Sequence, residues 1–150
     1  MYTGLTHLHS AMRYLVLAVL ILSLVSAATG YFSGRSFEKR DKMFALFTLI
    51  FSHIQLLLGL VIYFLSPWFS ALMNDAKTVM GSPQARFYAV EHISMMIIAI
   101  ALITVGYSRS KKATESKAKH GRIALLYGIA LIIIFVMIPW PFLKDWGGWF

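Results

Sequence analysis

Inside this chain, acid–base or metal chemistry has few residues to draw on. Five histidines, His7, His9, His53, His92 and His120, and only six Asp and Glu residues stand in 150 positions without a cysteine. Imidazole nitrogen is therefore the metal ligand on offer. Disulfides, thiolate metal sites, cysteine-held iron–sulfur clusters and covalent c-type haem, which needs C-x-x-C-H, are excluded. Arg13 follows His9 by four residues and shares its helix face, and Glu91 directly precedes His92. Met12, Met95, Met96 and Met137 offer thioether sulfur. Methionine is an ordinary gap-filler, so these read as lining, with Met96 on the His92 face.

The elements that must position these groups are membrane spans. Hydrophobic residues make up 59% of the chain, charged residues 13%, and the mean hydropathy is +0.71. A soluble domain carries about a quarter charged residues. Four apolar stretches, at about 6–30, 43–65, 84–106 and 120–140, are each long enough to cross a hydrocarbon layer of roughly 30 Å as a helix. The expected fold is all-α, an integral membrane four-helix bundle forming a single domain over residues 1–150. The His- and Thr-rich stretch before Arg13 argues against reading the first span as a signal peptide.

The net charge of +8 is sorted along the chain. Arg35, Lys39, Arg40 and Lys42 follow the first span, and Arg109, Lys111, Lys112, Lys117 and Lys119 follow the third, whereas the stretch 66–83 has only Lys77 against Asp75. By the positive-inside rule both termini and the 66–83 loop lie outside the cytoplasm, and the basic surplus reports orientation rather than nucleic-acid binding. Trp68, Trp140, Trp146 and Trp149 all fall on that outer side, where indoles settle at the lipid interface. Phe69, Leu72, Met73, Ala76, Val79 and Met80 recur at helical spacing and predict a short amphipathic helix lying on the membrane. It is an anchor for the loop or, in a functional reading, a lid over a site open to the outer leaflet.

At about 1.5 Å per residue, His9 lies near the outer edge, Arg13 and Glu91 about two turns deep, His92 just below them and His53 near mid-membrane. His7 and His120 read as interfacial, with His120 at the cytoplasmic end. His53 and His92 are within about one turn of each other in depth, on the second and third spans. That arrangement suits two axial ligands gripping one planar cofactor, a non-covalent b-type haem, whose ring needs apolar walls. Leu49, Leu56, Leu57 and Leu60 share a face with His53, and Met95, Met96 and Ala99 share one with His92. The rival pair is His9 with His92, between about one and two turns apart in depth. The plain alternative is that each histidine hydrogen-bonds a neighbouring helix.

Arg13 would clamp haem propionates, with Arg86 a second candidate, or would pair with Glu91 or snorkel to the headgroups. Glu91 could alternatively accept protons from a bound quinol. Thr48, Ser52, Gln55, Gly59 and Tyr63 form a polar or small stripe on the second span, rotated about 100° from His53, that reads as interhelical hydrogen bonding and close packing.

The stretches HLHSAMRYLVL, FTLIFSHIQLLLGL, VEHISMM, AKHGRI and IPWPF, spread over nearly the whole chain, resemble those of short bacterial four-helix membrane proteins of the cytochrome b-like family. A proline often follows the Glu-His pair in that family. Here Ile93 stands there, which implies a locally straighter third helix. The layout is more distantly similar to one half of haem A synthase, whose four-helix halves hold haem near the outer side. The resemblance implies a multi-pass protein of the bacterial inner membrane with periplasmic termini, alone, as a homo-oligomer or within a larger complex.

Residues and resemblance together lead to one haem b per chain and one-electron transfer with a quinol or an outer-face redox protein, an electron carrier rather than a stand-alone enzyme. The alternative is a cofactor-free accessory or assembly subunit. A third reading is a proton or metal-ion relay through His9, Glu91, His92 and His53.

Overall fold

The structure, a computed structural model, describes residues 2–149. Helices α1 (Tyr2–Ser33), α2 (Lys39–Leu65), α3 (Pro67–Asn74), α4 (Ala76–Gly81), α5 (Pro83–Arg86), α6 (His92–Lys112) and α7 (Ser116–Met137) follow one another, with a π-helical turn, Phe87–Glu91, joining α5 to α6. The described residues include no strand. Four segments are long and apolar enough to cross a membrane: Tyr2–Ser33, Lys39–Leu65, Pro83–Lys112 and Ser116–Met137. They match the four expected spans, with ends displaced by a few residues.

The helices succeed one another around a ring, α1 against α2, α2 against α6, α6 against α7 and α7 against α1. Small residues set the spacing: Ala27, Ala45, Ala99 and Ala130 are all buried and let the backbones approach. Leu20, Ile103, Ile123 and Tyr127 fill the space between them. The Tyr127 hydroxyl donates to the Ala45 carbonyl at 2.9 Å, crossing the ring from α7 to α2. Outward, Leu22, Val25, Leu57, Phe64, Leu125 and Ile132 are exposed. Helices that are apolar inside and out are the pattern of membrane spans.

The first and last described residues, Tyr2 and Trp149, and the α3–α5 segment lie at one end of the bundle, and the two basic loops at the other. At the basic end α1 stops at Gly34, whose φ of 70° is the left-handed turn a side chain would resist. The Arg35 guanidinium then forks onto the Asp41 carboxylate at 2.6 and 2.7 Å. Asp41 is only 3% exposed and also accepts from the Ser26 hydroxyl and, at 2.9 Å, from the Glu38 N–H. The carboxylate thus ties the end of α1 to the start of α2, and its hydrogen bonds hold the Arg35 guanidinium above its ordinary pKa.

Two expected boundaries shift. The fourth span ends at Met137 rather than near residue 140, because Pro139 disfavours helix at Ile138 and Pro141 cannot donate back to Met137. The one expected loop helix is two, α3 and α4, broken at Asp75. The Asp75 carboxylate accepts from the Thr78 N–H at 3.1 Å and so starts a new helix instead of continuing the old one. Those bonds from Thr78 hold its carboxyl below the ordinary aspartate pKa.

Candidate functional site

The structure brings His9 and His92 together. Their ring centroids are 6.4 Å apart with planes at 71°, α1 supplying one ring and the first residue of α6 the other. The Nδ1 of His92 lies 2.8 Å from the Met137 carbonyl. A carbonyl only accepts, so Nδ1 carries the proton and Nε2 of the neutral ring keeps its lone pair. The carbonyl is free for this because the residue four positions on, Pro141, has no N–H to offer it. Phe87 packs against His92 with ring centroids 5.7 Å apart, and the Lys144 ammonium sits 4.4 Å from the centre of Phe87 on its way to the surface.

Immediately before His92, the π-helical turn Phe87–Glu91 adds a residue to the helix ladder. Such turns are rare and appear mostly as single-turn bulges within α-helices. Tyr63 of α2 donates to the Ala89 carbonyl within it at 2.9 Å. Ile93 therefore does not follow a straight segment: the irregularity lies one turn earlier and needs no proline.

His9 is set against α2. Gln55 donates from Nε2 to the His9 carbonyl at 2.8 Å, and a Cβ placed on Gly59 would lie 3.1 Å from His9 Cε1. The ring therefore sits closer to α2 than a side chain at position 59 would ordinarily leave it. Around it, His9 Nδ1, Ser52 Oγ, Gln55 Oε1 and Arg13 Nε are buried without hydrogen-bond partners. Each such atom is costly to leave without a partner.

Arg13 and Glu91 each take another partner. Arg13 is buried, and its Nη2 donates to the carbonyls of Gly148, at 3.1 Å, and Trp149 and to the Tyr14 hydroxyl at 3.2 Å. Its guanidinium lies 5.2 Å from the ring centre of Trp140. Glu91 accepts from Arg86 Nε at 2.6 Å, and Arg86 also donates to the Met80 carbonyl at 3.1 Å. The Arg13–Glu91 ion pair is thus replaced by Arg86–Glu91, which closes across the π-helical turn.

His53 lies elsewhere. It is exposed on α2, with Nδ1 2.7 Å from its own Leu49 carbonyl and Nε2 3.5 Å from the Thr104 hydroxyl of α6. The inward face of α2 is the stripe: Thr48 donates to Val19 at 3.0 Å, Gln55 to His9 and Tyr63 to Ala89. His53, one residue past Ser52, is turned about 100° from it. Depth along the chain favours His53 over His9 beside His92, but the ring that the structure brings next to His92 is that of His9.

Met96 is partly buried against the core, as lining. Two interfacial assignments change. His120 is fully buried with both ring nitrogens unpartnered, packed edge-on to Phe37 at 5.0 Å, because Gly30 leaves a notch that its ring fills. Trp140 is a core residue at 5% exposure, donating its indole N–H to Phe135 at 3.0 Å. The described residues hold no cluster of three or more His, Asp or Glu that could bind a metal ion. What the site offers is a facing pair of imidazoles in an apolar bundle. No family model, curated protein or solved structure matches this chain.

Proposed function

We propose that this chain is a membrane-embedded b-type cytochrome of the short cytochrome b-like kind, holding one non-covalent haem between His9 and His92. The observation that carries this reading is the separation of the two rings. Two histidines holding one metal between them, each by a nitrogen at about 2 Å, would keep their ring centres roughly 6 Å apart, and His9 and His92 stand at 6.4 Å. Such a bound group supplies a reversible one-electron change at iron.

The rest is the work of this chain's residues. The Met137 carbonyl fixes the tautomer of His92 and raises the basicity of Nε2. Gly59 makes room for His9. Arg13, buried with Nε unpartnered, is the cation available to an acidic group of the ligand. The basic end faces the cytoplasm by the positive-inside rule, so the site lies at the outer side beneath α3 and α4. A quinol or an outer-face redox protein is the electron partner suited to that position.

Absorption spectroscopy of the purified chain, oxidised and dithionite-reduced, tests this. The expected result is a Soret band with sharp reduced alpha and beta bands, lost in His9→Ala and His92→Ala and kept in His53→Ala. A colourless preparation from haem-replete cells overturns the proposal. Loss in His53→Ala with retention in His9→Ala transfers the axial role to His53.

One observation favours the accessory-subunit reading: Thr48, Gln55 and Tyr63 of the same stripe all spend their side chains on joining helices. That reading predicts co-purification with a larger complex and no chromophore.

A further inference from the structure

At the basic end, far from the histidine pair, α2, α6 and α7 enclose a cavity of about 240 Å³. Four lysines line it, Lys39 and Lys42 at the start of α2, Lys111 at the end of α6 and Lys119 at the start of α7, against a single acid, Glu38. The two ion pairs of the described residues, Arg35–Asp41 and Arg86–Glu91, involve none of these lysines. Asp41, the nearest buried acid along the chain, is already spent on Arg35. Lys119 leans on the Phe37 ring at 5.6 Å, and its carbonyl takes the Ser110 hydroxyl at 3.1 Å, so the wall that carries it is fixed. The N-termini of α2 and α7 add positive partial charge on the same side.

Four like charges around one concavity repel one another unless an anion joins them. The size limits which anion. Sites for drug-sized molecules run from about 300 Å³ upward, so this cavity suits a phosphate-sized group rather than a nucleotide. Its floor is apolar, with Ala45 and Ile123 buried in the bundle core. A polar mouth over an apolar floor at the end of a membrane span is where a phospholipid places its headgroup, and basic pockets between spans bind anionic lipids in this way.

We infer that this cavity is a phosphate-binding site, taking the phosphate of an anionic phospholipid headgroup or free phosphate from the aqueous side. The site is independent of the cofactor reading. The test uses the full chain in nanodiscs of phosphatidylcholine alone, of phosphatidylcholine with phosphatidylglycerol, and of phosphatidylcholine with added inorganic phosphate. The thermal midpoint and the co-purifying lipid are read in each. Wild type should gain stability with an anion, and K42Q/K111Q should need about tenfold more of it. R40Q/K112Q, which removes the same charge from the same end outside the cavity, should behave as wild type, and single K42Q should fall between.

A response to phosphatidylglycerol alone assigns the site to lipid, and a response to phosphate in phosphatidylcholine assigns it to the soluble anion. Equal loss in the two double variants, or no response to either anion, overturns the inference.

Discussion

At the scale of single residues, two glycines decide where histidine rings can sit, and both make predictions. Gly59 leaves His9 a gap a few tenths of an ångström narrower than a methyl group needs, so the ring must give slightly to admit one. Gly59→Leu should therefore expel the ring and abolish the chromophore, while Gly59→Ala should shift its bands and retain it; the spectrum reads both. At Gly30 the crowding is greater, since an added Cβ overlaps the His120 ring. Gly30→Ala should cost about 1–3 kcal/mol of stability by overpacking. The same change in a His120→Ala background should cost much less, a coupling that thermal unfolding of the four variants of the cycle would expose. A loss of equal size in both backgrounds would contradict the notch.

Sequence spacing gives the position of each histidine along its helix but not its direction. That the His92 ring would meet His9 rather than His53 turned on which face of α2 is buried, a property of α2's neighbours. The burial of His120 was hidden for a similar reason. Its charged surroundings, Lys117, Lys119 and Arg122, belong to the chain, while Gly30 and Phe37 come from other elements.

At the scale of elements, the four spans were legible because hydropathy over some twenty residues is a strong signal. The irregular parts were not. The π-helical turn before His92 has no residue signature, and the break at Asp75 interrupts an apolar spacing that otherwise runs on. The joint between α1 and α2 is likewise a product of the fold, for Ser26 is supplied from nine residues before Arg35. It can be tested by breaking one side. Arg35→Gln leaves the Asp41 carboxylate buried without its cation, and the expected loss is about 2–4 kcal/mol, less than a fully buried pair because Arg35 is 27% exposed. Adding Asp41→Asn should return part of that loss, since the orphaned charge goes with it. Denaturation of the single and double variants in the same detergent measures the difference, and strict additivity would show that the fork carries no coupling.

At the scale of the whole molecule, the sorting of charge implies an orientation, and in the proposed role orientation would decide from which side of the membrane a redox partner reaches the histidine pair. Nine Lys and Arg residues in the two loops at one end face a single Lys77 in the loop at the other, by the residues of 35–42, 109–119 and 66–83. The positive-inside rule reads this as the basic end in the cytoplasm. A chain with no cysteine makes the test direct. Ser36 lies in the first basic loop and Ser70 in α3, and both are exposed. A membrane-impermeant maleimide added to intact spheroplasts should label Ser70→Cys at once and Ser36→Cys only after permeabilisation. The opposite pattern would put the histidine pair on the cytoplasmic side and replace an outer-face partner with a cytoplasmic one. It would also move the lysine-lined cavity to the outer leaflet without altering its chemistry, so the two proposals stand or fall on separate measurements.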